Sequence, residues 1–146
     1  MSISRIMVIT ALLSLMMPFA ADAQCRSFVK KQCLPKMAPF THNGQLNTAV
    51  MAAGQMAELQ MTFYSGQEYR IVVCSQESLT DVWFRLVDTN KNEVFNSKNQ
   101  RDNPNTWDFK MKSTQQLIIE IHAPESDSPN ELVASGCVSL LIGFKK

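Results

Sequence analysis

The chain has 146 residues, with 14 lysines and arginines against 13 aspartates and glutamates, and a net charge of +1 at pH 7. This length suits one domain and is short for two. Acidic and basic residues are interspersed, so no basic block points to nucleic acid or to a membrane surface as a partner.

The first 23 residues have the layout of a secretory signal peptide. Arg5 precedes an apolar run over residues 6–19, and small residues follow, ending in Ala21-Asp22-Ala23. This ending is an A-x-A cleavage site, and the apolar run is shorter than the ~20 residues of an ordinary membrane span. The sequence therefore predicts cleavage near Ala23 and a secreted or periplasmic mature protein with no membrane span.

The next segment, residues 24–46, differs from the rest of the chain. CRSFVKKQCLPKM has helical character, and Pro35 is expected to end the helix near Leu34, because proline cannot continue an α-helix. APFTHNGQLN reads as a loop with an Asn-Gly turn. We assign 24–46 as an N-terminal cysteine-containing helical segment and loop, and 47–146 as the folded domain.

From residue 57 onward, apolar residues alternate with polar ones. In AELQMTFY, for example, Leu59, Met61 and Phe63 share one face. The same alternation in the later strands predicts a set of side chains that point into the core. These are Tyr69, Ile71, Val73, Val82, Phe84, Leu86, Trp107, Phe109, Met111, Leu117, Ile119, Ile121, Val138, Leu140, Ile142 and Phe144. A period of two is typical of half-buried strands around a shared core. Short strands separated by turns predict an all-β protein, an antiparallel, jelly-roll-like β-sandwich with a short N-terminal helical segment.

Four cysteines, Cys25, Cys33, Cys74 and Cys137, lie beyond the signal peptide. An even number in an exported domain predicts two disulfides, and no C-x-x-C spacing supports a metal site. A continuous helix would hold Cys25 and Cys33 ~12 Å apart, more than the ~7 Å that a disulfide allows. Cys74 and Cys137 both have outward parity. They could pair with each other, which we favour, or each could attach the N-terminal segment to the outer face.

Residues 57–144 resemble a known module. AELQMTFYSGQEYRIVVCSQ and DVWFRLVDTNKNEVFNS, then WDFKMKSTQQLIIEIHAP and SGCVSLLIGF, resemble the strands of the bacterial pre-peptidase C-terminal-type β-sandwich. The whole chain is similar to uncharacterised small secreted proteins of Bacteroidota. The resemblance implies a binding or stabilising module that accompanies secreted enzymes. It implies no site residues, because one fold serves many functions.

The stretch LVDTNKNEVF raises the question of calcium. Asp88, Asn90 and Asn92 alternate as the first ligands of a calcium loop do. An EF-hand also needs glycine at its sixth position and glutamate at its twelfth, and these positions hold Glu93 and Asn99. The pattern therefore favours a hairpin turn between two strands. A calcium site built from Asp88 and other loop oxygens stays an alternative.

The sequence gives little support for catalysis. Of the two histidines, His42 falls in a predicted loop and His122 at a strand end beside Glu120, where a surface pair is expected. No serine lies in a G-x-S-x-G motif. We predict no catalytic residue, no cofactor and no metal, and we expect the acidic stretch 123–131 to be a solvated loop.

Trp83 and Arg85 are the candidate contacts for a ligand or partner, because their parity is opposite to that of inward Phe84. An exposed tryptophan can stack on a sugar or anchor a protein. The favoured alternative is that the N-terminal segment covers this face and buries its own apolar residues there. We expect a monomeric exported module that binds an envelope protein or has a structural role. A carbohydrate-binding module that recognises polysaccharide and a small secreted hydrolase are the other candidates.

Overall fold

The computed structural model describes residues 20–102, 104–127 and 133–145. The predicted signal peptide, residues 1–23, lies almost wholly outside these ranges, so its cleavage stays a prediction. Within them, no helix combines the length and the hydropathy needed to cross a membrane.

The described chain begins with a helical segment and continues as strands. The helical segment consists of an α-helix, α1 (Ala20–Phe28), a π-helical turn (Val29–Cys33) and a 3₁₀ turn (Leu34–Met37). The strands are β1 (Thr41–His42), β2 (Asn47–Ala52), β3 (Met56–Phe63), β4 (Glu68–Ser75), β5 (Trp83–Asp88), β6 (Glu93–Asn96), β7 (Thr106–Lys110), β8 (Gln115–His122) and β9 (Ser135–Lys145). Another 3₁₀ turn, Ser97–Asn99, follows β6 directly.

The strands form two antiparallel sheets. Sheet A has the order β1-β9-β4-β7, and β2 also pairs with β9. Sheet B has the order β3-β8-β5-β6. Because the chain crosses from one sheet to the other at most connections, neighbours in a sheet are mostly distant in sequence. The architecture is an all-β antiparallel sandwich with a short N-terminal helical segment, as the alternation predicted.

The hydrophobic core lies between the two sheets, and the inward positions were predicted correctly. Phe63, Ile71, Phe84 and Leu117 are fully buried and belong to one cluster drawn from both sheets. Trp107 is partly buried and packs against the same cluster. Local alternation was sufficient to identify these positions, because successive side chains of a strand point to opposite faces of the sheet, so every second residue faces the core.

The helical segment continues past Pro35, whereas an end near Leu34 was predicted. The α-helical part ends at Phe28, but the chain winds on to Met37. Pro35 lies in the first positions of the 3₁₀ turn. Proline is tolerated there, because the N–H group that it lacks would have no partner within the turn.

This segment covers the outer face of sheet A. The side of the segment that faces the sheet carries four buried residues, Cys25, Val29, Cys33 and Met37. They form a second apolar cluster with outward residues of β4 and β9, namely Val72, Cys74, Cys137 and Leu141. An amphipathic segment must bury its apolar side, and the outer face of sheet A provides the surface.

The disulfide joins Cys25 to Cys137, whose Cα atoms are 5.5 Å apart. The favoured pairing of Cys74 with Cys137 is therefore wrong. In the β4–β9 register, Cys74 lies opposite Ser139, two residues from Cys137. Such diagonal neighbours are ~7–8 Å apart, which is at or beyond the reach of a disulfide. The other alternative, attachment of the N-terminal segment, is confirmed for Cys137, while Cys33 and Cys74 carry free thiols in the structure.

A single arginine also fastens the segment to sheet A. Arg70 on β4 donates hydrogen bonds to the carbonyl oxygens of Lys36 and Ala38 at 3.0 and 2.7 Å. The same guanidinium donates to both carboxylate oxygens of Asp108 on β7, each at 2.6 Å. The forked pair with Asp108 fixes the guanidinium, so that its remaining donors point at the backbone of the segment.

Candidate functional site

The outer face of sheet B is not covered by the helical segment. That segment contacts β2, β4 and β9, which all belong to sheet A. The prediction that it covers Trp83 is therefore wrong. On the outer side of β5 and β8, Trp83 lies opposite His122 and Arg85 lies opposite Glu120. These four residues together with Lys98 are called the tryptophan face below.

Trp83 contacts two neighbouring side chains. Its indole stacks on the His122 ring with centroids 4.0 Å apart and planes 5° from parallel. The ammonium group of Lys98 lies 4.1 Å from the indole centroid. His122 belongs to β8 and Lys98 to the 3₁₀ turn that follows β6, and these two strands are the neighbours of β5 in sheet B. The contact with Lys98 is a cation–π interaction, and both contacts limit the rotation of the tryptophan.

Arg85 and Glu120 form the charged half of the tryptophan face. Nε of Arg85 donates to Oε2 of Glu120 at 2.5 Å. Lys91 and Glu93, from the β5–β6 hairpin, lie 3.8 Å from Glu120 and Arg85 respectively. Glu120 is only 3% exposed, so the expected pair of surface residues, His122 and Glu120, is instead a half-buried ring beside a buried carboxylate.

The surroundings of Glu120 keep it ionised. Burial alone would raise the pKa of its carboxyl group. The hydrogen bond from Arg85 and the positive charges of Arg85 and Lys91 outweigh that effect and hold this pKa below its ordinary value. Glu120 is therefore a charge that is already paired within the protein.

Nε2 of His122 is the polar atom of the tryptophan face that is not satisfied. It lies 3.4 Å from Oε2 of Glu120, an ion-pair distance if the ring is protonated. The contact is not a well-aligned hydrogen bond, and Nε2 has no hydrogen-bond partner in the part of the chain that the structure describes. Buried polar atoms are normally paired, and this one is shielded from solvent with the Glu120 carboxylate as its polar neighbour.

A shallow cleft adjoins the tryptophan face. Its volume is about 330 Å³, and its lining includes Trp83, Lys98, Ser97 and Asp81. Ser97 is buried and accepts a hydrogen bond from the backbone N–H of Phe84 at 3.0 Å, which fixes the turn that carries Lys98. The cleft is thus bounded on one side by the indole and on the other by a turn attached to β5.

Asp88 is the last residue of β5, next to the turn that leads to β6, and the two strands form a hairpin, as predicted. Its Oδ1 accepts hydrogen bonds from the backbone N–H groups of Asn90 and Asn92 at 2.8 and 2.9 Å. Its Oδ2 accepts one from the side-chain amide of Asn92 at 2.9 Å. These hydrogen bonds lower the pKa of the Asp88 carboxyl group. The alternation of Asp88, Asn90 and Asn92 is explained by the hairpin itself.

The tryptophan face combines an aromatic surface from Trp83 with positive charge from Arg85 and Lys98, beside the ionised carboxylate of Glu120. Across residues 20–102, 104–127 and 133–145, no group of three or more His, Cys, Asp or Glu is placed to hold a metal ion.

Sequence reasoning identified only part of this site. Trp83 and Arg85 were named as candidates from strand parity, and their role in binding stays a prediction. Lys91, Glu93 and Lys98 were missed, since they come from the next hairpin strand and its flanking turns. The only available signal was the short hairpin, which makes β5 and β6 neighbours but does not tell which side chains reach Trp83.

The fold is similar to that of a solved protein described as PliG of Aeromonas hydrophila, a periplasmic lysozyme inhibitor of g-type lysozyme. The TM-score is 0.52 at 8% sequence identity, over 69% of this chain and 85% of that chain. No family model and no curated protein matches the chain. At this identity the likeness concerns the fold alone. The resemblance to pre-peptidase C-terminal-type modules and to Bacteroidota proteins stays a prediction.

Proposed function

We propose that the chain is an exported, non-enzymatic protein that binds another protein through the tryptophan face. The observation that carries the proposal is this face itself. It presents a tryptophan and an arginine on the sheet surface that the helical segment leaves uncovered. Tryptophan and arginine are the residue types most enriched among the energetically dominant contacts of protein interfaces.

The preorganisation of the face supports binding. His122 and Lys98 hold the indole, and Glu120 holds Arg85. Side chains that are already ordered lose less conformational entropy when a partner binds. The Cys25–Cys137 disulfide supports export, because such bonds persist in oxidising compartments and are rare in the cytosol.

A protein partner fits this geometry better than a sugar does. A sugar ring would stack on a free face of the indole, whereas the His122 ring stacks on Trp83 and the Lys98 ammonium group lies 4.1 Å from the indole centroid. A protein can instead contact the indole edge, the Arg85 guanidinium and the exposed ammonium group of Lys98. The carbohydrate-binding alternative would require Lys98 to move away from the ring.

A lysozyme is the partner that we propose. The solved protein of similar fold is described as an inhibitor of a g-type lysozyme, which makes this enzyme class the first candidate. An exported binding protein would meet cell-wall lytic enzymes in the periplasm or outside the cell.

The test is inhibition of lysis. Purified residues 24–146 are added in increasing amounts to a g-type lysozyme acting on a cell-wall suspension, and complex formation is followed by gel filtration. We expect the lysis rate to fall and the two proteins to elute together. Unchanged lysis at large molar excess, with separate elution, would contradict the choice of partner.

The same preparation distinguishes the alternatives. Retention on insoluble polysaccharide without any enzyme, lost in Trp83→Ala, would favour the carbohydrate-binding module and contradict a protein partner. Cell-wall hydrolysis by the purified chain itself would contradict the non-enzymatic part of the proposal.

A further inference from the structure

Two buried thiols lie together beneath the helical segment. Cys33 is fully buried and Cys74 is 4% exposed, and both belong to the apolar cluster that contains the Cys25–Cys137 disulfide. The two thiol groups are close enough to influence each other's ionisation. Two unbonded thiols inside an apolar layer contribute little to stability through hydrogen bonding, since sulfur hydrogen bonds are weak.

The placement of the segment brings these thiols together. The disulfide fixes Cys25 over Cys137 on β9. From there the helical turns lead across to β4, the strand against which the π-helical turn with Cys33 packs. Cys74 points outward from that strand, opposite Ser139 of β9. One cross-link on β9 thus guides the second cysteine of the segment to the second outward cysteine of sheet A.

We propose that Cys33 and Cys74 form a second disulfide in the exported protein, which gives the pairing Cys25–Cys137 and Cys33–Cys74. The bond forms by exchange with the disulfide of a thiol oxidoreductase of an oxidising compartment. A cysteine thiolate of the chain attacks that disulfide, and a mixed disulfide forms. The other cysteine then displaces the enzyme sulfur. Two electrons and two protons pass to the oxidoreductase, which leaves as a dithiol.

Lys36 lies close to both thiols, and its positive charge lowers the pKa of each. It therefore favours the thiolate form of either sulfur, and the thiolate is the attacking species.

The bond would attach the end of the segment as well as its beginning. Cys25 holds α1, whereas Cys33 ends the π-helical turn next to the 3₁₀ turn. With both links in place, neither end of the segment can leave sheet A. The outer face of sheet A would then be permanently closed to partners, independently of what binds the tryptophan face.

Tryptic mapping tests the pairing directly. The four cysteines of the mature chain fall in four different tryptic peptides, residues 24–26, 32–36, 71–85 and 113–145. The exported protein is denatured without reductant, alkylated and digested. We expect no alkylated cysteine and a linked species of peptides 32–36 and 71–85. Alkylation of Cys33 and Cys74, or a link from Cys33 to another cysteine, would overturn the proposal.

Two variants give a second measurement. In Cys33→Ser, Cys74 should become alkylated while peptides 24–26 and 113–145 stay linked. The Cys33→Ser/Cys74→Ser chain should melt about 5–10 °C lower than the oxidised parent. An equal melting temperature for the two would overturn the stabilising role of the bond, and a variant that fails to fold leaves the mapping of the parent as the deciding result.

Discussion

Arg85 and Glu120 face each other across the β5–β8 pair, with Nε of Arg85 2.5 Å from Oε2 of Glu120. This contact explains how a glutamate that is 3% exposed can lie on the outer side of a sheet. A buried carboxylate is stable only when paired, and removing its partner leaves a charge that water cannot reach. The pair therefore contributes to folding as well as to the tryptophan face.

Acid should weaken the fold through Glu120. Its folded-state pKa lies below the ordinary value, so its contribution is fully present above the unfolded-state pKa of about 4.3 and is lost as the pH falls through the folded-state pKa. Glu120→Gln should therefore be less stable at neutral pH, by about 1–3 kcal/mol, and should lose less on acidification than the parent. Denaturant unfolding at pH 7 and at successively lower pH measures both effects.

Glu77→Gln is the matched control for this prediction. Glu77 is exposed and lies in the turn that follows β4, away from Glu120. Its replacement should leave the pH dependence close to that of the parent. If the parent and Glu120→Gln lost the same stability on acidification, Glu120 would not be the group responsible for the acid sensitivity of the fold.

Phe84→Ala should destabilise the protein by about 3–5 kcal/mol, the usual cost of removing a buried aromatic side chain. Phe84 is fully buried and packs against Phe95 with ring centroids 5.3 Å apart. Val94→Ala, in the neighbouring strand, should be close to neutral, because Val94 is 46% exposed. Thermal and denaturant unfolding of both variants check this, and a near-neutral Phe84→Ala would contradict the inward assignment.

Arg70→Lys should loosen the helical segment from sheet A. Lysine cannot reproduce the forked pair with Asp108 while also donating to the carbonyls of Lys36 and Ala38. We expect a loss of about 1–3 kcal/mol and faster amide exchange in residues 25–40. Arg101→Lys, an exposed loop substitution, should change neither. Unchanged exchange in Arg70→Lys would mean that apolar packing and the disulfide hold the segment without this arginine.

The strands could be predicted from the sequence because alternation is local. Phe84, Leu117 and Leu140 were assigned inward and are buried, since each assignment depends only on neighbours in the same strand. The two-residue strand β1 was read as loop, because too few residues carry its pattern.

Pairing of distant residues could not be predicted in the same way. The cysteine pairing depends on the β4–β9 register, which sets Cys74 opposite Ser139, and no local pattern reports a register between distant strands. Parity correctly put Trp83 on an outer face. Parity could not tell which of the two outer faces the helical segment covers, so this segment was predicted to lie on the wrong sheet.

The most direct test of the central claim compares two aromatic substitutions in the complex with a g-type lysozyme. Trp83→Ala removes the centre of the tryptophan face. Tyr64→Ala removes an aromatic side chain that is 61% exposed. Tyr64 follows the last residue of β3, whereas the first residue of β3, Met56, is the one that lies opposite His122. Dissociation constants are measured by calorimetry after each variant is shown to be folded. We predict at least tenfold weaker binding for Trp83→Ala and unchanged binding for Tyr64→Ala. Equal binding by Trp83→Ala and the parent would contradict the assignment of this face as the binding surface.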